Sequence, residues 1–152
     1  MDDAMKKKAD GIKEINESAW MAYKEFLSRK DKPSYLKKLS NLEWRYDNEL
    51  KWFCRNLASV WGPVADLVEG NAGKESDISE IHRSVSDIQN SAWSIYKAFM
   101  KSRDMRECTE KYAGLARRYG DDKDMKLFAQ TLILSWVPVI NSLADDFRNG
   151  MG

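Results

Sequence analysis

The sequence predicts an all-α protein of about six helices, arranged as two tandem three-helix repeats packed with approximate two-fold pseudosymmetry. Three observations carry this. Only eight Gly and three Pro occur among 152 residues, too few breakers for the many turns of an all-β chain. Apolar residues recur at alternating spacings of three and four, the period of a helix with one buried face. The chain also matches itself. Residues 15–26 (INESAWMAYKEF) lie over residues 88–99 (IQNSAWSIYKAF). The match continues through Asp31/Asp104, Lys38/Lys111, Leu42/Leu115, Arg45/Arg118 and Tyr46/Tyr119. A two-residue insertion near Gly120 then shifts the register, after which Lys51/Lys126, Phe53/Phe128, Leu57/Leu132, Trp61/Trp136 and Pro63/Pro138 coincide. Ordered aromatic landmarks with one small indel point to two copies of a unit of about 60 residues.

The first helix of each copy places Ile12, Ile15, Ala19, Ala22 and Phe26, or Val85, Ile88, Ala92, Ile95 and Phe99, along one seam. Trp20, Tyr23 and Leu27, with Trp93, Tyr96 and Met100, broaden it. The first copy starts near Asp2 or Asp3. The second is expected to start at Asp77, whose spacing to Glu80 suits a capping box. These helices end near Lys30 and Arg103, cations at the negative end of the helix dipole. Asp31 and Asp104 then read as N-caps of a second helix, with Pro33 tolerated in the first turn. That helix is expected to bury Leu36, Leu39, Leu42 and Tyr46, matched by Tyr112, Leu115 and Tyr119, and to close at Gly120. A third helix carries Leu50, Phe53, Leu57, Val60 and Val64, or Met125, Phe128, Leu132 and Val139. Pro63 and Pro138 fall inside it, so a kink or a break and restart is expected after Trp61 and Trp136.

The domain boundaries follow: a first repeat over residues 1–69, a linker over 70–76 (GNAGKES), and a second repeat over 77–150. Three helices alone make a marginal core. The two repeats are therefore expected to pack into one compact domain, six Trp supplying much of the buried area.

Composition narrows the function. Lys and Arg total 25 against 24 Asp and Glu, a balance that disfavours a protein gripping nucleic acid by charge excess. The N-terminus has no apolar core behind its Lys6–Lys8 run, so it is not a secretory signal. The longest apolar stretch, Leu132–Ile140, falls short of the ~20 residues of a membrane helix. A cytoplasmic protein with no membrane partner is expected, and Cys54 and Cys108 suit that compartment as free thiols. His82 is the single histidine, and no metal-ligand spacing, phosphate loop or nucleophile elbow accompanies it. Neither catalysis nor a cofactor is expected.

Polar residues shared by both copies, Ser18/Ser91, Lys24/Lys97, Arg45/Arg118 and Lys51/Lys126, have a structural explanation: Lys and Arg stems cover aromatic rings. Positions that differ are better places to seek recognition. Trp44 points away from Leu42 and Tyr46 around its helix, and its counterpart is Arg117. With Tyr35, Arg45, Trp52 and Arg55 it would form an aromatic and arginine surface of the kind enriched at binding hot spots. The sequence thus suggests a non-catalytic interaction module, an inhibitor or adaptor acting on a partner protein, as phage and mobile-element accessory proteins do. The alternative is nucleic-acid binding through Lys6–Lys8, Lys37–Lys38 and Arg117–Arg118. An exposed apolar seam would also permit a homodimer.

Overall fold

The computed structural model describes residues 2–150. Among them lie six α-helices and no strands: α1 (Asp3–Arg29), α2 (Lys32–Asn41), α3 (Asn48–Gly70), α4 (Glu75–Ser102), α5 (Met105–Arg118) and α6 (Lys123–Arg148). A 3-10 turn, Leu42–Arg45, extends α2. The chain divides into two compact units, Met1–Asp66 with Asp145–Gly152, and Leu67–Ala144.

Local chemistry sets the ends of the helices. The Asp2 carboxylate accepts from the Met5 N–H at 2.8 Å and starts α1. Asp31 and Asp104 do the same for Ser34 and Glu107, both at 3.1 Å, and start α2 and α5. These bonds satisfy backbone donors that the first helical turn leaves unused. Helices α1 and α4 stop alike: Lys30 and Arg103 turn left-handed, both at φ 59°. Their N–H groups return to the Phe26 and Phe99 carbonyls, each at 2.7 Å.

The start of α4 differs from the sequence expectation. It begins at Glu75, so Asp77 lies inside the first turn and caps nothing. Glu75 and Asp77 there act on the dipole instead. The second helix also differs. In the first unit α2 ends at Asn41 and tightens into the 3-10 turn, while Tyr46 is extended at φ −133°. Over the matching residues, α5 stays α-helical to Arg118. Leu36 is 39% exposed rather than buried; Tyr35 faces inward instead, beside Leu39, which is buried as expected. Gly120 follows α5 without a left-handed conformation, and Tyr119 caps the helix. Helices α3 and α6 run through Pro63 and Pro138 without a break. A proline costs one N–H donor, and packing on both sides of it holds the helix together.

In the first unit α1 packs along α2. Its seam residues Ile12, Ile15, Ala19, Ala22 and Phe26 are all buried, as are Phe53, Leu57, Val60, Trp61 and Val64 of α3. Trp20, Tyr23 and Trp61 form a triangle of rings, with centroids 5.4 Å (Trp20 to Tyr23), 5.1 Å (Tyr23 to Trp61) and 6.1 Å (Trp20 to Trp61) apart. In the second unit α4 packs along α5, and Trp93, Tyr96 and Trp136 form the same triangle, Tyr96 at 5.0 Å from each tryptophan and the two tryptophans 6.0 Å apart. Lys24 and Lys97 reach over the Trp20 and Trp93 rings at 5.9 and 6.0 Å, the covering role expected of long cationic stems. In the first unit Lys8 ties α1 to Glu49 at 2.7 Å and to Asp146 at 2.6 Å.

Helix α6 is long and apolar enough to cross a membrane by length and composition, and half of that stretch is buried.

Trp61 is 1% exposed and Trp136 is fully buried. Truncating either to Ala should cost about 3–5 kcal/mol, as removal of a buried large aromatic does. Trp44 is 70% exposed, and Trp44→Ala should stay within about 0.5 kcal/mol of the parent. Urea unfolding followed by circular dichroism separates the two classes.

Candidate functional site

The site is built where α2 gives way to the 3-10 turn. Leu42 is buried and anchors that turn, which carries Glu43, Trp44 and Arg45 outward. Asn48, left-handed at φ 56°, a conformation that asparagine tolerates, opens α3 with Lys51, Trp52 and Arg55 on its outer face.

Trp44 and Trp52 are 70% and 60% exposed. Each carries a cation over its ring: Lys51 Nζ is 4.8 Å from the Trp44 centroid, and the Arg55 guanidinium is 4.8 Å from that of Trp52. Arg55 Nε also donates to Glu43 at 2.7 Å. Glu43 precedes Trp44 and Lys51 precedes Trp52 in the chain, so these contacts cross-link turn and helix into one patch. The cation–π pairs hold side chains that would otherwise sample many rotamers in water.

Of the residues expected at this surface, Trp44, Trp52 and Arg55 come together. Arg45 is exposed but lines a separate groove with Lys24, Glu25 and Lys38. Tyr35 does not belong to the surface. It is 2% exposed, its ring packs on Phe26 at 5.0 Å, and its hydroxyl donates to the Trp61 carbonyl at 2.7 Å. Glu43 and Lys51 complete the patch and were not anticipated; their signal lay in opposite charges flanking the two tryptophans.

Several cations of the alternative surface are engaged. Lys8 pairs with Glu49 and Asp146, Lys38 with Glu25, and Arg118 with Asp87 at 2.7 Å. Burial opposes the Asp87 charge, but hydrogen bonds from Tyr119, Arg118 and Ser91 outweigh it and lower the carboxyl pKa. Among the described residues, no group of three or more His, Cys, Asp or Glu side chains converges to hold a metal ion. No family model, curated protein or solved structure matches the chain.

The two thiols sit far from a nucleophile's requirements. Burial pushes Cys54 up to about 12 and Cys108 up to about 11, so both are protonated at neutral pH, whereas a nucleophilic cysteine needs its thiolate. Burial, with Asp87 alongside, likewise pushes the Tyr119 hydroxyl up to about 12. A folded-state pKa above the unfolded one stabilises fully below the unfolded value, and the effect fades as pH climbs through the folded one. Stability should therefore fall as the pH is raised from about 9 toward 12. Denaturant midpoints taken across that range test this; a flat profile would show that these groups titrate as they do in the unfolded chain.

Proposed function

We propose that this chain is a non-catalytic interaction module that binds a partner protein through the patch formed by Glu43, Trp44, Lys51, Trp52 and Arg55. The observation that carries the proposal is the pair of exposed indoles, each braced by a cation within 5 Å of its ring centroid. Large exposed aromatics cost solubility unless they serve a contact. Trp and Arg are enriched among residues that dominate binding energy, because they bury wide surface with few rotatable bonds. The bracing lowers the ordering cost on association, since turn and helix already hold the side chains in place.

The patch is asymmetric with respect to an internal duplication. We infer that the chain arose from two copies of one helical module. Matched tryptophan–tyrosine clusters, similarly spaced helix starts and the two left-handed helix ends support this. Trp44 and Trp52 correspond to Arg117 and Leu127, and Glu43 and Arg55 to Ala116 and Gln130. Recognition on this account lies where the copies have diverged, and the cytoplasm is the compartment proposed for it.

A protein partner is favoured over nucleic acid. The net charge is +1, and the cations of the patch are already turned onto indole rings or a carboxylate, leaving little to neutralise phosphates.

The test is affinity capture with the parent chain, followed by titration of the captured partner against a Trp44→Ala/Trp52→Ala double variant. A loss of affinity of at least tenfold, about 1.4 kcal/mol, with an unchanged thermal midpoint supports the patch. Equal affinity for parent and variant removes it. A salt-sensitive mobility shift on DNA or RNA that the double variant abolishes would replace the protein partner with nucleic acid.

A further inference from the structure

In the first unit, side chains close the groove between α2 and α3. Tyr35 crosses from α2 to the Trp61 carbonyl. Leu36 reaches over Gly62, where an added Cβ would stand 3.7 Å from its Cδ2. The ion pairs Arg55–Glu43 and Lys32–Asp66 span the mouth. At the matching positions the second unit has Cys108 for Tyr35, Thr109 for Leu36, and four uncharged residues, Gln130, Ala116, Met105 and Asn141, for the charged four. Tyr112 does not take the place of Tyr35, because its hydroxyl turns to the Ala92 carbonyl of α4 at 3.3 Å. A cleft of about 500 Å³ therefore stays open between α5 and α6, and no charged residue lines it. Cys108 and Tyr112 lie at 3% and 4% exposure, whereas Leu134 and Val137 on its α6 wall stand 67% and 37% exposed.

We propose that this cleft binds a small, uncharged, largely apolar molecule. Size selects against a macromolecule. From Met105 to Ala116 an α-helix rises about 16 Å, and packed helices lie about 9 Å apart, so the footprint is about 150 Å². A stable protein interface needs about 800 Å² from each partner. The volume falls instead within the range of small-molecule sites. Charge selects against an ionised ligand, because burying an unpaired charge against neutral apolar walls is costly. Gln130 and Asn141 supply amide donors and acceptors for one polar group on the ligand. This proposal shares no residue with the Trp44 patch and stands or falls separately.

The test uses N-phenyl-1-naphthylamine, a neutral fluorescent probe, titrated against the full chain. The expected result is saturable binding of one probe per chain. Ala116→Trp fills the cleft, and Leu134→Glu puts a charge on its wall at an exposed position that leaves the fold intact. Each should weaken binding at least tenfold, and so should replacing the probe by its sulfonated analogue 1-anilinonaphthalene-8-sulfonate. Absence of saturable binding, parent-like binding by Leu134→Glu, or equal affinity for the sulfonated dye overturns the proposal. Should Ala116→Trp fail to fold by circular dichroism, Leu134→Glu decides the matter alone.

Discussion

Each unit depends on a triangle of three mutually packed rings, a tryptophan and a tyrosine of its first helix and a tryptophan of its third. Trp20, Tyr23 and Trp61 pack on one another in the first unit, and Trp93, Tyr96 and Trp136 in the second. In both units this cluster joins the first helix to the third beside a proline that deprives the third of one backbone donor. Large rings at centroid distances of 5 to 6 Å contribute both buried area and favourable ring geometry. In both units the third helix runs unbroken through that proline, with Trp61 and Val64, or Trp136 and Val139, buried on either side of it.

With the inner aromatics committed to the fold, the outer ones are free to do something else. The two units keep the same inner cluster but treat their outer surfaces differently. The first unit closes its α2–α3 groove with Tyr35 and two ion pairs, and displays Trp44 and Trp52 beside it. The second leaves its α5–α6 groove open and neutral, with arginine at position 117 and leucine at position 127. The 3-10 turn accounts for part of this contrast. By tightening the end of α2, it carries Glu43 and Trp44 toward Arg55 and Lys51, whereas α5 stays regular to Arg118.

Much of the fold was legible in the sequence. The seams of α1 and α4, the Asp caps at residues 31 and 104, and the stops at Lys30 and Arg103 rest on local chemistry that a sequence states directly. What failed depended on competition. The Asp77–Glu80 spacing fits a cap, but Glu75 could already start the helix. Leu36 fits a helical stripe, but Tyr35 carries a hydroxyl that finds the Trp61 carbonyl, and the helix rotates to bury the tyrosine. Pro63 and Pro138 signal a break only when nothing holds the two halves in line. At the site, Trp44 stood out because Arg117 is the residue that aligns with it when the sequence is laid over itself. The open groove gave a quieter signal: no charged residue between Leu127 and Ala144, where the matching stretch of α3 contains Arg55, Asp66 and Glu69.

Trp20, Trp61, Trp93 and Trp136 build the ring clusters, whereas Trp44 and Trp52 stand exposed, and the indole N–H resonances of ¹⁵N-labelled protein report on each. On addition of the partner protein, the Trp44 and Trp52 resonances should shift or broaden while those of Trp61 and Trp136 stay in place. If Trp44 and Trp52 remain unmoved at saturation, the partner binds elsewhere and the assignment of recognition to this patch is wrong.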